Sequence, residues 1–477
     1  MRRSLAISIL GVAFFGCGTD YVEPDTEPTA KTTWFQHVAP IVADHCMGCH
    51  QEGGIGPFEL TTYNNAVEHA AMMVDAVDRG IMPPFDAREE ADCTPRHGWQ
   101  DDPRLTAAEK DTLRAWVDGG YEKGIDDTIE IPETPELENV STTLTPAQGF
   151  VTSGTRDQFM CFVMDPGNTT FRWVTGLQVR PDNDLVVHHA VITQVEETEG
   201  NALIAEHGLG TAFECDTTPG SFVMHVWTPG NQPMRTPSDL AIPLAARSKI
   251  VMQIHYHPAG GTHAPDATQI DLQYSTVWPR KMYFVTAIGN ELAAPNLEPG
   301  PGDGATPRFF IPANSADHTE KMFRDITTLG GLTNVKLYSV NPHMHLVGTK
   351  ISSKIHRPSA RGDEPQTECL ANGGWNFDWQ RTYTYDADID DLPSIEVGDR
   401  ISVSCGWNNT MDNPFVERML HDSNLPPQPI DITLGEQTTQ EMCLEIFGIA
   451  TDAPAQPLLA TDPVVLPDLR AIDMFVR

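Results

Sequence analysis

Apolar positions follow two periods along this chain. Between residues 31 and 125 the period is helical: Trp34, Val38, Ile41 and Val42 recur on one helix face, and Val67, Met72, Met73, Val74 and Val77 mark a second amphipathic stretch. Thr106-Ala107-Ala108-Glu109 reads as a capping box. The helix it opens turns Leu113, Trp116 and Val117 inward and stops at Gly119-Gly120. Beyond residue 148, short apolar runs alternate with Gly/Pro/Asn/Asp turns. Examples are Phe159–Val163, Leu185–Ile192, Ile250–Tyr256, Val335–Val340 and Arg400–Cys405. Such runs predict β-sandwiches, and the length of this part predicts two.

Composition divides the chain further. Residues 18–30 (Glu23-Pro24-Asp25-Thr26-Glu27-Pro28) read as a flexible tether, and the acidic, Pro-broken stretch 126–147 as a linker. The expected domains are thus 31–125, 148–282 and 283–477. A formal net charge of −35 disfavours nucleic acid and anionic membrane surfaces as partners. Met1-Arg2-Arg3 followed by the apolar Leu5–Phe15 is an export signal, too short to remain as a membrane span. Phe14-Phe15-Gly16-Cys17 resembles a bacterial lipoprotein signal with Cys17 lipidated, although Phe14 stands where leucine is usual. That places the protein outside the cytoplasm, in a periplasm or on an outer membrane or cell surface, where disulfides persist. Plain secretion is the other reading.

The most specific local motif is Cys46-Met47-Gly48-Cys49-His50, the c-type haem attachment pattern. Two thiols bond the haem vinyl groups and the adjacent histidine ligates iron. Gly80-Ile81-Met82-Pro83-Pro84 offers Met82 as the second axial ligand, which would raise the haem potential. Met72 and Met73 are alternatives better read as packing. The segment 31–125 resembles a small all-α cytochrome c domain. A redox or zinc Cys-x-x-Cys is the competing reading.

Further histidines lie on the strand-like runs: His188-His189, His225, His255 with His257, and His343 with His345. On a continuing strand, His343 and His345 would share one face. Imidazoles suit copper, zinc and iron, and a thioether selects copper. Four motifs occur in order: His188-His189, Gln253-Ile254-His255-Tyr256, His343-Met344-His345 and Glu441-Met442-Cys443. From about residue 150 onward this order resembles the copper type II, ascorbate-dependent monooxygenases, the family of dopamine β-hydroxylase and the peptidylglycine α-hydroxylating enzymes.

The resemblance implies two facing all-β, jelly-roll-like sandwiches with one copper on each, across a solvent-filled cleft. It assigns His188, His189 and His255 to an electron-transfer copper, with Gln253 nearby. His343, His345 and Met442 go to an oxygen-activating copper. It implies hydroxylation of a substrate C–H bond with O2 and an external reductant. The fused cytochrome-like segment departs from the animal enzymes; its haem is expected to pass electrons to the coppers, either replacing a diffusible reductant or relaying from one. His257 is then not a ligand, although strand periodicity pairs it with His255. His225 reads as core or loop, Met344 as packing, and His207, His263, His318, His356 and His421 as surface. Cys405 and Cys443 resemble a family disulfide; Cys161 and Cys215 form a further candidate pair, while Cys93 and Cys369 have no assigned partner. Trp375–Gln380 is an aromatic run that lines the cleft or forms a buried core strand. Asn341 and Ile446 stand where the peptide-amidating members carry an arginine and a tyrosine that anchor the substrate carboxylate. A small substrate is expected rather than a glycine-ended peptide. Two rivals are a haem/copper electron-transfer or copper-binding lipoprotein without hydroxylase activity, and a zinc hydrolase.

Overall fold

A computed structural model describes residues 31–456, apart from 53, 55, 134, 155, 216, 221, 259–262 and 305, together with 464 and 466. The export signal and Cys17 lie outside the described residues. The chain divides into two compact units, one of residues 1–83 and 104–132, the other of residues 84–103 and 133–477.

In the first unit, Trp34, Val38, Val42 and Met47 pack with Ala66, Ala70, Met73, Val77, Leu113 and Trp116. The helix Tyr63–Asp78 starts where the Thr62 hydroxyl accepts the Asn65 N–H. The helix Ala107–Asp118 carries the full Thr106/Glu109 capping box. Met73 is buried, whereas Met72 is exposed.

The second unit is β-rich. Its largest sheet has 14 strands among the described residues. Centrally, Phe222–Trp227, Val187–Val195, Lys249–Tyr256 and Gln158–Met164 run antiparallel to their neighbours. A separate four-stranded sheet joins Ser315–Asp325, Arg400–Asn409, Gly348–His356 and Thr367–Gly374. Lys281–Gly289 pairs along its whole length with Leu444–Asp452, which pairs in turn with Lys336–His343. One ladder therefore carries strands from both sides of residue 283.

The expected fold class, a small all-α cytochrome c domain followed by two all-β sandwich copper domains, is corrected. Strand outweighs helix, 35% against 16%, and the described residues hold five α-helices. The segment 31–125 is not one helical body, because Pro84–Pro103 groups with the β unit. Among the interactions that hold it there are the Cys93–Cys369 disulfide, the stacking of Trp99 on Tyr385 at 4.9 Å, and Arg96, 2.8 Å from Glu368 and 2.8 Å from Asp363. Cys161–Cys215 and Cys405–Cys443 are also bonded. Three disulfides fit an oxidising compartment. Among the described residues, no helix is long and apolar enough to cross a membrane.

Candidate metal centre

Adjacent residues on a regular strand point to opposite faces, so His188 and His189 should diverge. They do not, because the ladder between Val187–Val195 and Lys249–Tyr256 slips between Val187 and His189. That bulge at His188 re-aims its ring. His189 lies opposite His255 in the register. His189 Nδ1 then lies 3.2 Å from His188 Nδ1 and 3.4 Å from His255 Nδ1. A tetrahedral ion with metal–nitrogen bonds of about 2.0–2.1 Å has N···N edges of roughly 3.3–3.4 Å; these two separations match it, and ligand nitrogens of all three residues lie within 4.8 Å of one another. Burial, then repulsion from neighbouring imidazoles, holds His188 and His189 well below the usual histidine range. Both stay neutral, as ligands must.

The remote nitrogens also have neighbours. His188 Nε2 lies 3.3 Å from the Phe377 carbonyl, and its ring stacks on Phe377 at 4.1 Å. His255 Nε2 stands 3.5 Å from Asp157 Oδ1, just short of a formed hydrogen bond. Phe159 stacks on the other side of His255 at 4.4 Å. Asp157 is held by His257 Nδ1 at 2.7 Å and by the Thr438 N–H at 2.8 Å. Burial pushes this carboxyl up, but the His257 hydrogen bond and the close approach of His255 together hold it well below the usual carboxylate range. His257 thus turns to Asp157. Gln253 donates to the Cys215 carbonyl and accepts from Thr218, both at 2.8 Å.

The second set sits where a strand stops. Lys336–His343 ends at His343, and the chain turns through Leu346 and Val347. His345 is therefore off the strand, yet its ring lies 5.5 Å from that of His343. Glu441 holds this turn. Its fully buried carboxylate accepts the N–H groups of His345 and Val347, each at 2.9 Å, and that of Met442 at 3.2 Å. Burial raises Glu441 to about 7, although those bonds and the nearby Trp407 indole pull it down. Met442 is buried, and the adjoining Cys443 is bonded to Cys405. Gly289 (φ 133°) lies against the Cys443 carbonyl, where any Cβ would clash. His343 Nδ1 faces Gln380 Oε1 and His345 Nδ1 faces the Gln440 carbonyl, each at 3.0 Å. Both acceptors require an Nδ1–H, which leaves each Nε2 with a lone pair for a metal. Burial lowers His343 to about 3 and His345 to about 4. Met344 is fully buried in the core.

The rings of His189 and His343 are only 5.3 Å apart. Beside them, Trp375–Gln380 is neither a core strand nor an open cleft wall. It turns, with Asp378 N–H on the Asn376 side chain and Trp379 N–H on the Asn376 carbonyl, and the Trp375 indole donates to the His345 carbonyl at 2.7 Å.

In the helical unit, neither Cys46 nor Cys49 is in a disulfide. Burial, then the neighbouring Cys49, pushes Cys46 up to about 12, the opposite of what a redox Cys-x-x-Cys needs. His50 Nδ1 is 2.9 Å from the Phe58 carbonyl, so Nε2 is available to iron. This set fits covalent haem. Met82 is 37% exposed.

Among the other histidines, His225 is buried on its strand and lowered to about 4 by burial alone. His207 stacks on Phe213, His263 bonds the Pro258 carbonyl, His356 is half-buried against Ser402, and His421 is exposed. His318, expected at the surface, is buried and bonded to Glu320 at 2.7 Å. His318 and Glu320 stand two apart on the strand Ser315–Asp325 and so share its buried face. Asp157, Glu441's clamp and Gln380 carried no such local pattern.

No protein-family model matches the chain, and no curated protein matches it. Among solved structures, the major capsid protein P2 of bacteriophage PM2 is 8% identical, with a TM-score of 0.22, covering 63% of this chain and 100% of its own. The Broad Bean Stain Virus structure is 7% identical, with a TM-score of 0.22, covering 69% and 93%. Likenesses this weak carry no argument about fold or function.

Proposed function

We propose that the chain is an exported copper-dependent monooxygenase that hydroxylates a C–H bond of a small substrate with O2. One observation carries this reading. His188, His189 and His255 bring ligand nitrogens within 4.8 Å of one another, with His189 Nδ1 3.2 Å from His188 Nδ1 and 3.4 Å from His255 Nδ1, beside two further imidazoles whose Nδ1 atoms are both engaged. Copper, when bound, supplies one-electron redox chemistry and activation of O2. His188, His189 and His255 would hold one ion, and His343, His345 and Met442 the other. The thioether favours copper over zinc. Glu441 fixes the backbone of both His345 and Met442, so those ligands need little reorganisation.

On the same reading, Cys46, Cys49 and His50 bind a c-type haem, with Met82 as its second ligand. The haem relays electrons from an external donor, and Cys17 carries a lipid anchor. Asn341 and Ile446 argue against a glycine-ended peptide as substrate.

The test is oxygen uptake by copper-loaded protein with reductant, screened over small C–H substrates. Substrate-stimulated uptake that is lost in Met442→Ala supports the proposal. Two bound coppers with no stimulated uptake by any substrate would leave an electron-transfer or copper-binding protein instead.

A further inference from the structure

We infer that the turn from Phe377 to Gln380 is a single hydrogen-bonded bridge that sets the protonation pattern of one histidine in each metal-binding set. The inference rests on the proposed function only in taking both sets to bind copper. Gln380 is 1% exposed. Its Oε1 lies 3.0 Å from His343 Nδ1, and its Nε2 lies 3.2 Å from the Phe377 carbonyl and 3.3 Å from His188 Nε2. His188 Nε2 is itself 3.3 Å from the same carbonyl.

With His188 bound to its metal through Nδ1, these contacts admit one arrangement of hydrogens, in which Gln380 Nε2 and His188 Nε2 both donate to the Phe377 carbonyl rather than one to the other. A main-chain carbonyl has no proton to give, so the Gln380 amide must turn its NH2 toward Phe377. Its oxygen then faces His343, which must hold its proton on Nδ1 and present a bare Nε2. At the other end, His188 turns Nδ1 toward His189 Nδ1, which in turn faces His255 Nδ1. A neutral imidazole has one N–H, so the His188 proton sits on Nε2 and also goes to the Phe377 carbonyl. One acceptor oxygen, which belongs to neither ligand set, thereby orders both. A flipped amide would point two oxygens at each other and force His343 Nδ1 to accept, which removes the lone pair from its Nε2. Gln380 is a positioning residue: it touches one histidine of each set and supplies no ligand.

The full-length protein tests this with Gln380→Leu and Gln380→Glu. Cu(I) affinity is measured by competition with a chromophoric chelator. His255→Ala and Met442→Ala serve as single-site references that assign each binding step. Pulsed EPR of the Cu(II) form reads the remote imidazole nitrogens, which a merely structural role would not move. Leucine removes both ends of the bridge. It should weaken both sites by about 10–100-fold, the usual cost of losing a partner that orients a ligand, and change the remote-nitrogen signal at both. Glutamate keeps an acceptor for His343 but opposes the Phe377 carbonyl. It should spare the His343 site and weaken the His188 site. If Gln380→Leu does not fold, the Gln380→Glu pattern decides alone. Loss at one site only in the leucine variant, equal loss at both in the glutamate variant, or no change in either overturns the inference. If wild-type protein binds fewer than two coppers, the proposed function fails instead.

Discussion

Glu445 is fully buried in the strand that follows Met442, and neither carboxylate oxygen has a hydrogen-bond partner. Burial raises it to about 8; the Ser353 hydroxyl, outside hydrogen-bond geometry, offsets this only in part. The folded protein therefore keeps the proton while the unfolded chain releases it near 4.5. Between those values the native state binds more protons, so stability falls as pH rises from about 4.5 through about 8. Glu445→Gln cannot titrate. Comparing the two proteins at pH 5 and pH 8 cancels packing differences that do not depend on pH. The stability of Glu445→Gln relative to wild type should rise by about 3–4 kcal/mol over that interval, because it covers most of the range from about 4.5 to about 8 at about 1.36 kcal/mol per pH unit. Guanidinium unfolding of metal-free protein, followed by tryptophan fluorescence, reads the difference. A difference that stays flat from pH 5 to pH 8 would show that this carboxyl is hydrated or ionised in the fold.

Other outcomes follow from the same geometry. Asp157→Asn removes the charge beside His255 and His257 and should weaken copper at the His188/His189/His255 set by about 10–100-fold, read by Cu(I) competition; unchanged affinity would show that the carboxylate is incidental. Because His343 and His345 stay neutral down to about 3 and 4, the unfolded chain takes up protons first. Metal-free stability should therefore fall as pH drops below about 6.5, and a His343→Gln/His345→Gln double variant should show a shallower decline in melting temperature. Replacing both Cys93 and Cys369 by serine opens a loop with a sequence separation of 276. This should cost about 5.6 kcal/mol on the chain-entropy estimate, seen as an earlier denaturation midpoint; an unmoved midpoint would mean that the noncovalent contacts of residues 84–103 suffice.

Residues with paired or spaced motifs could be read from the chain, because histidine pairs, Cys-x-x-Cys-His and capping boxes are local signals. Their surroundings could not. Asp157 is one of 66 acidic residues, and only the fold brings it to His257. The carbonyls of Phe377 and Gln440 are main-chain atoms that every residue possesses. Trp375–Gln380 looked like core because aromatic residues usually are; the turn made by Asn376 is what sends it between the histidines. The separate all-α domain failed for a related reason: helical periodicity around residues 34–42 and 107–117 is real, but nothing local announces that Cys93 bonds Cys369. His343 and His345 were expected to meet through strand alternation. They meet because Glu441, almost a hundred positions away, gathers the turn that follows the strand.

The irregular step at His188 sets a limit on improving this protein. Deleting one residue there would restore an unbroken ladder between Val187–Val195 and Lys249–Tyr256, a change that a screen for thermal robustness would reward. The same deletion would send one of the two imidazoles through to the opposite face. Selection for a better-bonded sheet and selection for metal occupancy therefore pull this position in opposite directions. A hardened variant recovered from such a screen, with a shortened strand here, should be copper-poor.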